Sequence, residues 1–272
     1  MKGFIVFTLL IAAALAAPAT DDFVPFVVGG QNASPGQFPY IVSVQWVILG
    51  LPSHVCGGII IGPSWVLSAA HCDTETPNVG RLTIIAGRHN INVAETDGQV
   101  REIDYTVLHP GWVPGPQVGP DDLKLLHLAS PLTFNTRVRR AFLPAPHAIP
   151  TGPATLAGWG STGGVLPPAI LQHTTKPMIS LTECRNAINA MGFDGNLVDN
   201  TNVCTGPLTG GVAACSGDSG GPLVQGVAPN EVVVGVVSWG FTPCGSAGAP
   251  SGVYKRVSAF NNWIAQHTGI TN

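Results

Sequence analysis

Residues 214–223 read Ala-Cys-Ser-Gly-Asp-Ser-Gly-Gly-Pro-Leu and place Ser219 on a glycine turn directly behind the carboxylate of Asp218. Glycines 217, 220 and 221 allow positive φ, and they let backbone N–H groups approach a bound carbonyl where negative charge develops during acyl transfer. A surface turn would use the same residue types. Even with this chain's surplus of glycine, however, Gly-Asp-Ser-Gly-Gly arises by accident in only about one chain of this length in several hundred. A serine hydroxyl is a poor nucleophile at neutral pH until a neighbouring base takes its proton. Leu-Ser-Ala-Ala-His-Cys at 67–72 offers that base in His71, beside Cys72, a cysteine able to pin its loop. A third group must orient the imidazole and stabilise it once charged. Asp122, in Pro-Asp-Asp-Leu-Lys-Leu-Leu-His-Leu at 120–128, is a carboxylate entering a buried strand. Asp218 itself calls for a cation from elsewhere in the chain.

The elements that must position these groups are short and β-rich. Runs 41–48, 58–61, 65–68, 82–86, 103–108, 123–128, 155–157, 231–239 and 252–257 are rich in Val, Ile and Leu and bounded by Gly, Pro, Asn or Asp, which predicts strands. Many short strands at this spacing point to barrels or sandwiches. Only 181–191 and 258–267 read as helix, the latter because Phe260, Trp263 and Ile264 fall at i, i+3 and i+4. The Pro-rich stretch 143–153 is the candidate linker between two halves. There is no internal repeat and no low-complexity tract.

The front of the chain carries one Lys, then an apolar run over 4–17 with small residues at Ala14 and Ala16, the layout of a secretory leader cut after Ala16. The run is shorter than the roughly 20 residues that span a bilayer, so no membrane anchor is expected. Secretion implies an oxidising milieu in which the six cysteines pair, and sequence alone leaves 15 connectivities. Beyond residue 26, 11 Lys and Arg face 13 Asp and Glu, a balance that offers no basic field for nucleic acid. Charged residues are only 10% of the whole, so a trypsin finds few cut sites, which suits life among digestive enzymes. Asn32-Ala33-Ser34 is a glycosylation sequon.

Cys-Gly-Gly at 56–58, Ala-Ala-His-Cys at 69–72, Asp-Leu-Lys-Leu-Leu at 122–126, Gly-Trp-Gly at 158–160, Gly-Asp-Ser-Gly-Gly-Pro-Leu at 217–223 and Ser-Trp-Gly at 238–240 together resemble the chymotrypsin family of serine proteases. The order His, Asp, Ser is also that family's, and the resemblance runs from Val27 to the C-terminus. It implies two six-stranded antiparallel β-barrels, about 27–143 and about 144–257, with the site in the cleft between them and a short C-terminal helix. By the same resemblance Ser219 is the nucleophile, His71 the base and Asp122 its orienting acid, with the N–H groups of Gly217 and Ser219 forming the oxyanion hole. Ser238 matches a serine that supports the Asp and borders the substrate. The implied disulfides are Cys56–Cys72, Cys184–Cys204 and Cys215–Cys244.

The resemblance also supplies the missing cation. Val27-Val28-Gly29-Gly30 matches the family's mature N-terminus, whose freed ammonium pairs with the carboxylate next to the serine, so 17–26 reads as a propeptide. His54 matches a position that holds that carboxylate in the zymogen. Phe26 stands where digestive relatives have Arg or Lys, which points to an activator accepting a large apolar residue. Ala213 gives the specificity pocket a neutral floor and Gly240 and Gly252 give it open walls, so large apolar or aromatic P1 residues are expected, and self-activation after Phe26 becomes feasible.

Two further positions depart from the family pattern. Lys124 replaces a small or apolar residue on the strand that carries Asp122, and it must snorkel outward or find a partner. The segment 88–98 is similar to a calcium loop, but Arg88 and Gly98 replace acidic ligands, so no metal and no cofactor are expected. Protein or peptide substrates, and proteinaceous inhibitors, are the expected partners of a monomer acting in a setting such as the gut lumen. The competing readings are elastase-like or collagen-cutting specificity, because 245–251 flanks the pocket, and a catalytically silent binding or regulatory homologue. The three intact triad residues favour the enzyme.

Overall fold

The computed structural model describes residues 28–73, 79–115, 119–163 and 166–272. The leader, the propeptide, Phe26 and Val27 lie outside the described residues. Seven strands come first: β1 (Gln31–Asn32), β2 (Ile41–Ile48), β3 (Leu51–Gly62), β4 (Trp65–Ser68), β5 (Arg81–Ala86), β6 (Gln99–Leu108) and β7 (Lys124–Leu128). Strands β2 to β7 close into an antiparallel barrel in the order β2-β3-β4-β7-β6-β5, with β5 pairing back onto β2. Val42, Val44, Ile59, Ile60, Val66, Leu67, Ile84, Leu125 and Leu126 fill it and are fully buried. Where three strands crowd together only a glycine fits, since a Cβ on Gly58 would lie 2.7 Å from Val66 and 2.8 Å from Val42.

The second barrel comprises β8 (Pro153–Gly158), β9 (Gln172–Ile179), β10 (Asn202–Thr205), β11 (Pro222–Gln225), β12 (Val232–Trp239) and β13 (Gly252–Arg256), in the order β9-β10-β13-β12-β11-β8 and closed by β8 against β9. The short β1 adds to the outside of β9, so the first residues of the described chain are stitched to the far barrel. Two helices follow the sequence reading closely. In α1 (Leu181–Ala190) Ser180 caps the N-terminus by accepting the Glu183 N–H, and in α2 (Asn261–Thr268) Gly269 ends the helix in the left-handed region. Trp263 and Ile264 turn inward with Phe260 as expected, although residues 257–259 form a 3-10 turn rather than the helix's first turn. The three cysteine pairs are Cys56–Cys72, Cys184–Cys204 and Cys215–Cys244.

Four strands have no counterpart in the hydrophobic pattern: β1, β9, β10 and β11. Strand β9 shows why. Its alternation is regular, but the residues it turns inward are Gln172, Thr174 and Lys176, all buried. A polar inward face has the right period and the wrong chemistry, so it reads as loop. Strand β3 is also longer than its apolar part, because its first residues are exposed and pair with the end of β2.

Candidate active site

His71 lies on a 3-10 turn, Ala70–Asp73, at the end of β4, and the Cys56–Cys72 disulfide ties that turn to β3. Asp122 lies two residues before the start of β7. Both of its oxygens are occupied: Oδ1 accepts the His71 backbone N–H at 2.9 Å, and Oδ2 accepts the His71 ring Nδ1–H at 2.7 Å and the Ser238 hydroxyl at 2.6 Å. A carboxylate that claims Nδ1–H leaves the other ring nitrogen free of a proton and available as a base. Burial is the strongest influence on Asp122 and pushes its pKa up, but the hydrogen bonds and charge of His71, with Ser238, outweigh it and hold the carboxyl below its ordinary value.

Ser219 comes from the opposite barrel. Its carbonyl accepts the Gly57 N–H at 2.7 Å, and the Gly57 carbonyl accepts the Ser68 hydroxyl at 2.8 Å, so the serine turn is bonded to the strand next to the His71 disulfide. The contact tolerates no side chain, because a Cβ on Gly220 would lie 2.2 Å from Ser68 Oγ. Gly217 has φ +95° and Gly220 +75°. Among the described residues no hydrogen bond takes up the N–H of Gly217 or of Ser219, so both donors remain open beside the hydroxyl.

Asp218 is completely buried. Its carboxylate accepts the N–H of Gly160 at 2.9 Å and of Cys215 at 3.0 Å. The Gly-Trp-Gly motif exists to admit it: a Cβ would meet Asp218 at 2.0 Å from Gly158 and at 2.3 Å from Gly160. Burial pushes the Asp218 carboxyl up to about 6, against the opposing pull of the two N–H groups and of Lys176. His54 is engaged elsewhere: Nε2–H donates to the Gly217 carbonyl at 2.9 Å and Nδ1 accepts from the Ser43 hydroxyl at 2.8 Å. That pairing requires a neutral ring, consistent with a pKa that burial lowers.

A cavity opens beside Ser219 between Ala214, Cys215, Ser216 and Gly217 on one side and Val237, Trp239, Gly240, Phe241 and Thr242 on the other. Gly240 lies on its surface. Ala213 and Gly252 are buried and do not line it, the Ala214 N–H donates to the Ser251 carbonyl, and Ser238 faces Asp122. Trp239 and Phe241, with Phe193 edge-on to Phe241, form an aromatic wall that the sequence reading missed. The Ser-Trp-Gly motif carried the signal, because the residue between two expected site positions faces the same cleft.

The two departures have local explanations. Lys124 is fully buried and forms an ion pair with Asp73, two residues beyond His71, so the charge is paired beneath the triad turn instead of snorkelling. In 88–98, Arg88 donates to the Ile91 carbonyl at 3.0 Å while Arg137 pairs with Glu95 and, at 3.6 Å, with Asp97. Guanidinium groups stand where a calcium loop gathers its acids around a cation.

A hydrogen-bonded Ser, Asp and His line between two barrels, opening on a serine with bare N–H donors, defines a two-barrel serine hydrolase. The family described as Trypsin matches residues 27–264. The chain is 36% identical to Trypsin-1 of Astacus astacus over 88% of this chain and 98% of that protein. It is 35% identical to the Lectizyme of Glossina austeni over 97% and 96%, and 35% identical to Cationic trypsin-3 of Rattus norvegicus over 98% of each. The chain belongs to the trypsin family and is a serine endopeptidase, and its three disulfides fit an extracellular protein.

Proposed function

We propose that this endopeptidase is secreted and digestive, and that it cleaves after large apolar or aromatic residues through an acyl-enzyme on Ser219. His71 takes the hydroxyl proton as the scissile carbonyl is attacked and returns it to the leaving amine, while Asp122 holds the ring and stabilises its charged form. The oxyanion sits against the N–H groups of Gly217 and Ser219, a contact worth roughly 2.7–4 kcal/mol per donor. The observation that carries the P1 preference is the cavity wall: among the described residues no acid lines it, and Ala214, Val237, Trp239 and Phe241 do. A buried guanidinium or ammonium of a substrate would find no counter-charge there. The enzyme is made as a zymogen whose cleavage after Phe26 frees Val27 to pair with Asp218, and its own specificity fits that cut.

Peptide substrates ending in Phe, Leu, Ala and Arg test this directly. The Phe and Leu substrates turn over fastest and the Arg substrate slowest; preference for Arg overturns the pocket assignment. Resistance of a purified Ser219→Ala precursor to the active enzyme overturns self-activation.

A further inference from the structure

Among the described residues, Lys176 is a buried cation that the catalytic arrangement does not use. Lys176 lies in the middle of β9 and is 0% exposed. An ammonium in such a place is costly unless an opposite charge compensates it. Its Nζ donates to the Ser251 carbonyl at 3.2 Å, and the same oxygen accepts the Ala214 N–H at 2.9 Å. Ala214 is bonded to Cys215, whose N–H reaches Asp218 Oδ2 at 3.0 Å. Ser251 is itself fixed, its hydroxyl donating to the Gly206 carbonyl at 2.6 Å and meeting Thr205 Oγ1 at 2.9 Å, with the Tyr254 hydroxyl 3.2 Å beyond. The ammonium is therefore held one peptide link away from the groups that orient Asp218. A carbonyl dipole does not neutralise it. Among the described residues the charge acting on Lys176 is Asp218, and the cation acting on Asp218 is Lys176.

We propose that Lys176 is a positioning residue for the Ser219 turn, a resident cation that keeps Asp218 ionised and directed at Gly160 and Cys215 while Val27 is still joined to Phe26. The inference rests on the reading of Ser219 as nucleophile and Val27 as the later partner of Asp218. One carboxylate compensates one cation well. Once the Val27 ammonium arrives, Lys176 becomes redundant, so it matters for the uncut chain and little for the processed one. Burial pushes Lys176 down to about 7 and Asp218 up to about 6, so the two are charged together near neutrality. The titratable groups facing Lys176 are Asp218 and, through Ser251 and Thr205, the Tyr254 hydroxyl, whose pKa burial raises.

The test measures the rate at which a fluorophosphonate labels Ser219, with intact mass separating uncut from processed chains. Uncut wild type is labelled, and uncut Lys176→Met at least about ten-fold more slowly, within the cost of losing one oxyanion donor. Lys176→Arg, which keeps the charge, stays near wild type, and the processed forms of all three agree within about three-fold. Equal labelling of uncut Lys176→Met and wild type overturns the proposal, as does an uncut wild type that is not labelled while its processed form is. Should Lys176→Met not fold, wild type alone decides: the ratio of uncut to processed labelling falls as pH rises from 6 to 8, and a flat ratio overturns the proposal. Failure of processed wild type to label sinks the protease reading instead, so the two failures are distinct.

Discussion

Asp122 and Asp218 sit at 2% and 0% exposure on facing loops of the same cleft, yet their acidities move in opposite directions. Burial raises both. At Asp122 it is outweighed by an imidazole with a proton to share, a backbone N–H and a serine hydroxyl. At Asp218, among the described residues, only two backbone N–H groups and a lysine more than one bond removed oppose it, and burial wins. One carboxylate is finished within the fold, while the other is built to receive a charge. The difference shows that depth of burial does not set a carboxyl's state; its partners do.

The largest effect that probes this contrast is Asp122→Asn. It keeps the shape but presents an amide to Nδ1, removing the acceptor that fixes the His71 tautomer. A fall in kcat of about 10⁴-fold is expected, the size known for this change in triads of the same kind. A loss under ten-fold would mean that Ser238 and the turn suffice to orient the ring. Next comes Gly160→Ala, whose methyl would lie 2.3 Å from the Asp218 carboxylate. Displacing Asp218 should cost about 10²–10³-fold in kcat through the oxyanion donors, with KM for a small substrate changing less. Unaltered kcat would show that the carboxylate can shift without moving the turn.

The third prediction concerns stability in the uncut chain. Asp218 has a raised native pKa, so ionising it opposes folding increasingly as pH rises toward about 6; Asp218→Asn loses one N–H acceptor and the counter-charge of Lys176, but its melting temperature relative to wild type should rise by a few degrees between pH 4 and pH 7. Asp122 has a depressed native pKa and contributes stability above its unfolded value that is lost as pH falls through the native one. Asp122→Asn should therefore lower the melting temperature at pH 7, and the loss should shrink only below about pH 4. Calorimetry of both variants across this range checks the opposite slopes; parallel slopes would show that the two sites are electrostatically alike. The smallest effect is Ser238→Ala. It removes one 2.6 Å hydrogen bond to a charged group, worth about 1.5–3 kcal/mol, part of which the remaining His71 contacts recover, and a several-fold fall in kcat is expected.

Much of the site was legible because its chemistry is written in residue type and local spacing. Ser219, Asp218 and their glycines are contiguous, and His71 sits next to its own disulfide. The helix 181–191 was legible for the same reason, since Ser180 and Glu183 cap it within one turn. Strand β9 was not, because a buried polar stripe and an exposed one have the same pattern. The aromatic wall of Trp239 and Phe241 was hidden by direction alone: a motif names residues but not the way they face. The fate of Lys124 was open for a related reason, because its partner Asp73 is 51 positions away.

The sequence by itself determined which groups could do acyl-transfer chemistry, in what order they occur, and that six cysteines and many short strands would hold them. Those are properties of residue type and of neighbours along the chain. Only the tertiary structure decided that Lys124 pairs with Asp73, that Gly158 and Gly160 make room for Asp218, and that Lys176 lies buried behind the pocket wall. Each depends on groups brought together from distant parts of the chain, where the loss of water, and not the identity of the residue, sets its charge and its cost.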